Sequence, residues 1–484
     1  MSRRKRSTFE RLQRGDKLSR RERRQIERQL QAEDPGWEVV HRNVAGIDVG
    51  NESHFVCVDP QRATPWIREF GSWTTALREM VEWLKSCGVE RVVMQTTGVY
   101  WIPLQDVLEQ AGLEVAVVNA RATKNLPGRK SDVQECQWVR KLDLYGLLRA
   151  AFQVPETIRA IRTLWRLRER WVQEAGRAIQ QMQKALTTMN VQLANALSDI
   201  SGKTGMAMIR AIVGGEHNPW VLAKLRDERI RASEEEIAHS LEGHWREDVL
   251  FELRQVVQAY DFQQQQIAEC DKQLEKYMKA QRTRVVEEKV EAVKIPAPAS
   301  SEPGRKKKQR KPLKNQPAFD LEAELKRVLG VDLTVIDGVK LMTIQTIYAE
   351  LGADLSAFPT ERHFTSWLML APKREVSGGK VIKHSTLPGR NRVANALRMA
   401  AESLKESDSY LGARYRSLRG RLGGVKAVKA MARYLACLIY RMLTKGQAFV
   451  DRGAACYEQK RRERELSHLQ RKAATLGLQL VPAQ

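Results

Sequence analysis

Short apolar runs alternate with helical patterns between about residues 44 and 145. The runs VAGIDVG and HFVCVD are close together and predict an antiparallel hairpin that turns at Gly50-Asn51, and residues 66–70 predict a third strand. Two further buried strands are predicted for ERVVMQ and EVAVVN. Amphipathic helices are predicted for TTALREMVEWLKSCG, for the stretch that follows TTGVYW, and for the stretch that begins after Ser131. The pattern therefore predicts an α/β domain.

Longer helical patterns follow from Pro155 onward and contain two apolar seams with a three-to-four spacing, which is typical of a coiled coil. The first seam, interrupted by Arg168, consists of Ile158, Ile161, Trp165, Val172, Ala175, Ile179, Met182, Leu186, Met189 and Leu193. The second consists of Leu253, Val256, Tyr260, Ile267, Cys270, Leu274 and Tyr277. We expect the two seams to pack antiparallel, within one chain or between protomers, and to serve in dimerisation.

The apolar pattern stops near residue 288 and resumes near Phe319. The segment PAPASSEPGRKKKQRKPLKNQP is rich in proline, serine and basic residues, and we interpret it as a linker. Beyond it, VIDGVKLMTIQTIYAELG predicts two short helices joined by a glycine-containing turn. The chain is thus predicted to consist of a basic arm (1–40), an α/β domain (41–155), a helical coiled-coil domain (156–286), a basic linker (287–318), a mainly α-helical C-terminal domain (319–457) and a basic helical tail (458–484).

The charge of the chain indicates the class of its partner. The 484 residues carry a formal net charge of +24, and the basic residues are spread along the whole length. A surplus of this size indicates a polyanionic partner, first of all nucleic acid, whereas a basic tail on an ordinary enzyme would concentrate the charge. The six cysteines are widely spaced and form no zinc motif, which predicts reduced, mostly buried thiols of a cytoplasmic protein. No apolar run approaches the ~20 residues of a membrane span.

Acidic residues stand where the predicted α/β domain would bring them together. A hairpin followed by alternating helices and strands is the order of an RNase H-like fold, in which acids from the first strand, a later strand end and a late helix meet at metal. Those positions hold Asp48, Gln95, Asp132 and Glu135. An aspartate inside an apolar strand costs several kcal/mol unless it is paired or bound to metal, which favours a functional Asp48 over an acid that merely ends a strand. Asp132 and Glu135 share one helix face, and ordinary acids at a helix N-terminus are the alternative.

Two strongly basic segments accompany these acids. NARATKNLPGRK directly precedes the second acidic pair and contains Arg121, Lys124, Arg129 and Lys130. APKREVSGGKVIKHSTLPGRNR surrounds Ser377 with basic residues that include Arg374, Lys380, Arg390 and Arg392. A serine on a flexible basic loop is suited to attack a phosphodiester, because cations stabilise both the alkoxide and the developing phosphorane charge. A serine that only forms a turn is the alternative interpretation.

Several of these stretches resemble the insertion-sequence 110 family of transposases. The similarity rests on GIDVG, TTGVYW, VNARATKNLPGRKSDVQECQW and the late SGGK and GRNR stretches, and it covers most of the chain from about residue 45 to residue 457. It implies a RuvC-like N-terminal domain with a DEDD acidic set, a coiled coil that mediates dimer contacts, and a C-terminal domain that supplies a serine. By this resemblance, the four acids are matched by Asp48, Gln95, Asp132 and Glu135, and the serine by Ser377.

The resemblance also implies a reaction and its partners. Members of the family are understood to be recombinases guided by a structured non-coding RNA that pairs with donor and target DNA. We therefore expect Mg²⁺ as the cofactor, both DNAs and a guide RNA as partners held by the basic residues named above, and a homodimer or tetramer. We also expect a prokaryotic, cytoplasmic protein that joins the nucleoid when it binds DNA.

Two positions depart from the DEDD pattern. Glu135 keeps the charge and adds one methylene, whereas Gln95 keeps an oxygen ligand but lacks a negative charge, which should weaken Mg²⁺ binding. One hypothesis is an active enzyme in which the serine performs the covalent step and the metal positions phosphates; the other is an impaired copy. Two further alternatives are a RuvC-like junction nuclease that uses metal-activated water, and a non-catalytic nucleic-acid-binding relic.

Overall fold

The computed structural model describes residues 19, 21–22, 36–95, 98–119, 132–285, 315–377, 380–386, 391–446 and 453–479. The predicted basic arm and the predicted basic linker lie almost wholly outside the described residues. The chain divides into two compact units, Met1–Gln153 and Val154–Gln484.

The first unit is built on a five-stranded mixed sheet, as the alternation of apolar runs predicts. Its strands are β1 (Val44–Val49), β2 (Ser53–Cys57), β3 (Ile67–Gly71), β4 (Arg91–Gln95) and β5 (Glu114–Val118). They lie in the order β3-β2-β1-β4-β5. The first three strands pair antiparallel, and β4 and β5 run parallel to β1. The carboxyl ends of β1, β4 and β5 therefore meet at one edge of the sheet, the carboxyl edge.

Within the described residues of this unit, three helices cover the two faces of the sheet. They are α1 (Thr74–Ser86), α2 (Trp101–Gln110) and α3 (Asp132–Leu144). Side chains of α1 and α2 share one core with Ile47 and Met94, whereas side chains of α3 share a second core with Val44 and Val93. Because successive residues of a strand point to opposite faces, the two cores separate the odd from the even positions of β1. The α3 side of the sheet thus contains positions 44, 46 and 48.

Ion pairs hold α3 against the sheet. Arg140 donates from Nε to the Val44 carbonyl at 3.0 Å and from Nη2 to Asp59 at 2.6 Å. Asp143, only 1% exposed, accepts from Nε of Arg91 at 2.7 Å. A buried carboxylate requires such a partner, because an unpaired buried charge is strongly destabilising. These contacts determine the direction of α3, since its later residues lie beside the first residues of β1 and β4.

The second unit begins with two long helices of one chain, α4 (Glu156–Thr188) and α9 (Glu247–Lys279), which pack on each other. Arg168 pairs with Asp271, Trp171 meets Phe262 edge to face, and the Met189 carbonyl accepts from the His244 amide. The contacts run in opposite sequence order, so the helices are antiparallel and the intramolecular alternative is the one observed. Arg168 is 1% exposed and Asp271 is 5% exposed. The residue that interrupts the first seam therefore forms a buried ion pair across the two helices. In the second seam, Tyr277 is exposed, which corrects its predicted burial.

Shorter helices lie between and after this pair. Between α4 and α9 stand α5 (Leu193–Ala196), α6 (Lys203–Val213), α7 (Pro219–Ala223) and α8 (Glu234–Ser240). After α9 follow α10 (Leu321–Leu329), α11 (Leu341–Leu351), α12 (Glu361–Trp367), α13 (Arg392–Glu402), α14 (Tyr410–Leu422), α15 (Gly424–Lys445) and α16 (Gly453–Thr475). The C-terminal part of the chain is mainly helical, as predicted. The first of the two predicted short helices is only a 3₁₀ turn, Leu333–Val335.

The basic segment around Ser377 differs from its prediction as a flexible loop. Its backbone forms an antiparallel hairpin of β6 (Pro372–Ser377) and β7 (Lys380–Thr386), in which Ser377 pairs with Lys380. The signal for this hairpin is present in the sequence, because two glycines connect runs that contain Val376, Val381 and Ile382. A Gly-Gly pair between such runs is a hairpin signature.

The cysteines agree with the prediction of mostly buried thiols. All six cysteines are free, and four of them are buried. Among the helices of the described residues, none combines the length and the apolar character that crossing a bilayer requires.

Candidate active site

Asp48 and Gln95 occupy neighbouring positions at the carboxyl edge. Ile47 of β1 is in register with Met94 of β4, and Asp48 and Gln95 are the next residues of these parallel strands. Strand alternation places both on the face that α3 covers. Asp48 is half-buried, and Gln95 ends its strand with 6% of its surface exposed. A carboxylate and an amide oxygen thus stand side by side on adjacent strands.

The N-terminus of α3 lies at the same edge. Along α3, Cys136 contacts the strand at Gly46, Arg140 bonds to Val44, and Asp143 bonds to the first residue of β4. The helix therefore runs antiparallel to β1 and β4, and the backbone of its first residue, Asp132, lies toward the carboxyl edge, one turn beyond Cys136. The positive end of the helix dipole faces this edge as well, which favours anionic groups there. The backbone of Asp132 is described, and its side chain lies outside the described part.

Cys136 shows how closely α3 approaches the acid on β1. Its thiol donates to the Val133 carbonyl at 3.1 Å. A hydrogen bond with Cys57 raises the pKa of the Cys136 thiol, and burial and the negative charge of Asp48 raise it further. The Asp48 charge acts on Cys136 only because the two groups are near each other. Cys136 is accordingly a neutral, buried thiol beneath the acidic positions.

Glu135 is the second predicted acid on α3. It is half-buried and follows Asp132 by three residues on α3. Asp48, Gln95 and Glu135 all present oxygen atoms, which are the ligands that Mg²⁺ prefers. Among the residues whose side chains the structure describes, no three His, Cys, Asp or Glu side chains lie close enough together to hold a metal ion. The donor chemistry therefore suits a hard divalent cation, and the described acids alone do not complete a site.

The segment after β4 adds an exposed apolar surface to this edge. Val99, Tyr100 and Ile102 are all exposed, and they follow Gln95 within seven residues. The Trp101 ring nitrogen donates to the Gly98 carbonyl at 3.2 Å and so closes the turn that presents them. Sequence reasoning did not single out these side chains, because an apolar run before a helix is typical of a buried segment.

The remaining predicted site residues belong to the second unit or lie outside the described residues. Ser377, Arg374 and Lys380 belong to the β6–β7 hairpin of the second unit, where the backbone alone is described. Arg392 begins α13 and forms an ion pair with Glu169 of α4, so its guanidinium already has a carboxylate partner. The other predicted nucleic-acid-binding residues lie outside the described residues: Arg121, Lys124, Arg129, Lys130 and Arg390.

Gly46 is a site-positioning residue that the sequence analysis missed. A Cβ atom at this position would collide with the Cys136 carbonyl oxygen and would lie 2.7 Å from the Arg140 Cβ and 2.8 Å from the Arg140 amide nitrogen. The missing side chain therefore lets α3 lie directly on β1. The sequence does contain a sign of this contact, because a glycine inside a strand often marks a close backbone approach.

Replacing Gly46 with alanine is expected to lower the free energy of unfolding by about 1–3 kcal/mol, as overpacking does. The added methyl group must push α3 away from β1, because it would collide with backbone atoms of the helix and with the Arg140 Cβ. Denaturant unfolding measures the loss of stability. Gly71→Ala is the matched control, since a Cβ there meets its nearest atom, Trp73 Cδ1, at an ordinary 3.4 Å. Equal effects of the two substitutions would contradict the proposed contact.

Comparison with known protein families gives two matches. A DEDD-type IS110 model, described as "Transposase", matches residues 45–191, and a model described as "Transposase IS116/IS110/IS902 family" matches residues 332–416. No curated protein matches the chain significantly. The first match includes Asp48, Gln95, Asp132 and Glu135, and the second includes Ser377. The chain belongs to the IS110 family of transposases.

Proposed function

We propose that this transposase cleaves and exchanges DNA strands of an insertion sequence through a covalent serine–DNA intermediate. Asp48, Gln95, Asp132 and Glu135 are the proposed ligands of Mg²⁺, and Ser377 is the proposed nucleophile. The observation that carries the acidic half is the convergence of Asp48, Gln95 and the N-terminus of α3 at the carboxyl edge. The strand order β3-β2-β1-β4-β5 supports an RNase H-like, RuvC-like fold for this part.

The proposed reaction is a transesterification. The Ser377 Oγ forms a bond to a backbone phosphorus, the bond from that phosphorus to one bridging oxygen of the DNA breaks, and the hydroxyl proton passes through solvent to the departing oxygen. The phosphoester that results preserves the bond energy for rejoining to a second strand. A divalent cation at the acidic site would neutralise phosphate charge and orient the strand. The neighbouring positions of Asp48 and Gln95 on paired strands support this role.

Partners and assembly follow from the family and from the charge. We propose donor and target DNA as substrates and a structured guide RNA as the source of target choice, supported by the net charge of +24. We propose that the antiparallel pair α4 and α9, which packs within one chain, also contacts another protomer in a dimer or tetramer. The predicted division into six segments and the prokaryotic, cytoplasmic location are proposed on the same basis.

The test of this function uses purified full-length protein, its candidate RNA, end-labelled donor and target DNA, and Mg²⁺. A protein–DNA adduct that survives denaturation is the expected result. Cleavage without an adduct would favour a junction nuclease that uses metal-activated water. Binding with neither cleavage nor an adduct would favour the non-catalytic relic.

Changing Gln95 to glutamate is expected to alter recombination by less than about tenfold, which corresponds to ~1.4 kcal/mol in the barrier. The reason is that Asp48, Asp132 and Glu135 already supply three carboxylates for the cation, whose proposed role is to position phosphates, so a fourth charge adds little. Recombination between donor and target plasmids measures the effect. Gln110→Glu, at the exposed end of α2, is the control for adding a charge to this unit. A much larger gain for Gln95→Glu would indicate an impaired copy.

A further inference from the structure

Three arginines form a line on α4 that the proposed mechanism does not use. Arg159, Arg162 and Arg166 are spaced by three and four residues, which places them on one helix face. The adjoining face of α4 packs on α11, where the Trp165 ring nitrogen donates to Thr346 Oγ1 at 3.2 Å. The line of arginines therefore borders a rigid helix–helix contact within the second unit.

Two carboxylates hold part of this line in place. Glu350 of α11 accepts from Arg166 Nε at 2.8 Å and from Nη2 at 2.6 Å, in a bidentate pair. Glu169 pairs with Arg392, whose Nε also lies 3.9 Å from Glu350. Bidentate pairs fix a guanidinium in both position and orientation. Arg166 and Arg392 are thus held in place by carboxylates before any ligand binds.

Among the described residues, no carboxylate holds Arg162 in a bidentate pair. It is half-buried, and within the described part of the chain its guanidinium forms no hydrogen bond or ion pair. Burial lowers the pKa of Arg162, and the positive charges of Arg166 and Arg159 lower it further, although Glu350 opposes them. A cation that is partly removed from water and lies beside other cations is stabilised by a bound anion. The environment of Arg162 is therefore suited to an anionic ligand.

The position of this group indicates which anion it binds. Arg392 begins α13, six residues after the hairpin that carries Ser377 ends at Thr386. Six residues span at most about 22 Å, so the arginine group lies within a few nucleotides' length of the hairpin. Ser377 lies at the turn end of the hairpin and Thr386 at its base. A DNA strand that reaches Ser377 and follows the hairpin toward its base would therefore come near the arginine group.

We propose that Arg162, flanked by Arg166 and Arg392, binds a backbone phosphate of the DNA strand that leads to Ser377. This inference rests on the proposed function for the identity of the strand. A guanidinium suits this role because its planar set of donors matches two phosphate oxygens, which a lysine cannot do. Glu169 and Glu350 are positioning residues that hold the flanking arginines.

The test measures the binding of full-length protein to a duplex of about 30 base pairs over a range of salt concentrations, with Ca²⁺ in place of Mg²⁺. Each lost phosphate contact lowers the slope of log affinity against log salt by about 0.9. Arg162→Gln is expected to lower the slope by that amount and to weaken binding about tenfold at low salt. Arg162→Lys should keep most of the slope and lose part of the affinity, because the charge remains and the bidentate geometry does not.

Arg170→Gln is the matched control, because Arg170 is exposed on the same helix and lies over the Trp171 ring, with 5.4 Å from Cζ to the ring centroid. Arg170→Gln should change the slope of log affinity against log salt less than Arg162→Gln does. The thermal midpoint of Arg162→Gln should not fall below that of the wild type, since the substitution removes a half-buried positive charge beside Arg159 and Arg166.

Equal slopes for Arg162→Gln and wild type would overturn the inference, and so would a change in slope with duplex RNA but not with DNA. The binding assay is independent of strand cleavage. A lowered slope in a protein that forms no adduct would leave the phosphate site standing and remove the serine proposal. An adduct together with unchanged slopes would support the serine proposal and remove the phosphate site.

Discussion

Replacing Ser377 with alanine is expected to reduce the covalent protein–DNA adduct to background while DNA binding persists. The substitution removes only the hydroxyl oxygen, which is the atom that would bond to phosphorus, and nothing else on an alanine can take its place. Ser377 is the last residue of β6 and pairs with Lys380 through the backbone. Alanine makes the same backbone hydrogen bonds, so the hairpin should persist. Denaturing gel electrophoresis of labelled DNA measures the adduct, and a filter or mobility assay measures binding.

Ser385→Ala supplies the control for this prediction. Ser385 belongs to the neighbouring strand β7, in register with Lys373 on β6, so the control changes a serine of the same hairpin. Its adduct yield should match that of the wild type. An adduct that survives in Ser377→Ala would assign the nucleophile to another residue, whereas cleavage that survives without an adduct would favour metal-activated water as the attacking group.

Changing Asp48 to asparagine is expected to slow strand cleavage by at least about 1,000-fold, since a bound metal supplies several kcal/mol of charge stabilisation. Asp48 is half-buried on β1 beside Gln95, so it is the proposed ligand with the most rigid support. Asparagine keeps the size of the side chain and removes its charge. The fold should therefore remain while the affinity for the cation falls.

A second readout separates metal binding from catalysis. Mg²⁺ that binds the folded state raises the thermal midpoint of the wild-type protein, because binding energy adds to stability. Asp48→Asn should lose that increase. Glu79→Gln is the control, since Glu79 is exposed on α1, on the opposite face of the sheet. Cleavage by Asp48→Asn at close to the wild-type rate would exclude the acidic site from the reaction.

Periodicity in the sequence was sufficient for most secondary structure. A buried strand and an amphipathic helix leave different spacings of apolar residues, and these spacings depend only on local geometry. The five strands of the sheet and the long helices α4 and α9 were therefore predictable. So was the unusual position of Asp48, because a carboxylate in an apolar strand stands out without any knowledge of its neighbours.

Contacts between distant residues required the tertiary structure. Nothing local shows that Arg168 pairs with Asp271, about a hundred positions away, or that Arg392 pairs with Glu169 of α4. The choice between pairing within one chain and between protomers was likewise open, since the same seam serves both. The hairpin around Ser377 is a different case. Its Gly-Gly signal is local, but the many basic residues around it favoured the interpretation as a flexible loop.

The sequence by itself determined the composition of this protein's candidate chemistry: its acids, its serine, its basic segments and their order along an α/β unit and a helical unit. The tertiary structure decided which of them meet. Gly46 shows the reason most clearly, since the absence of one side chain lets α3 reach β1 and directs its N-terminus to the edge that holds Asp48 and Gln95. Such an approach depends on the volume between two elements far apart in the chain, which no local pattern records.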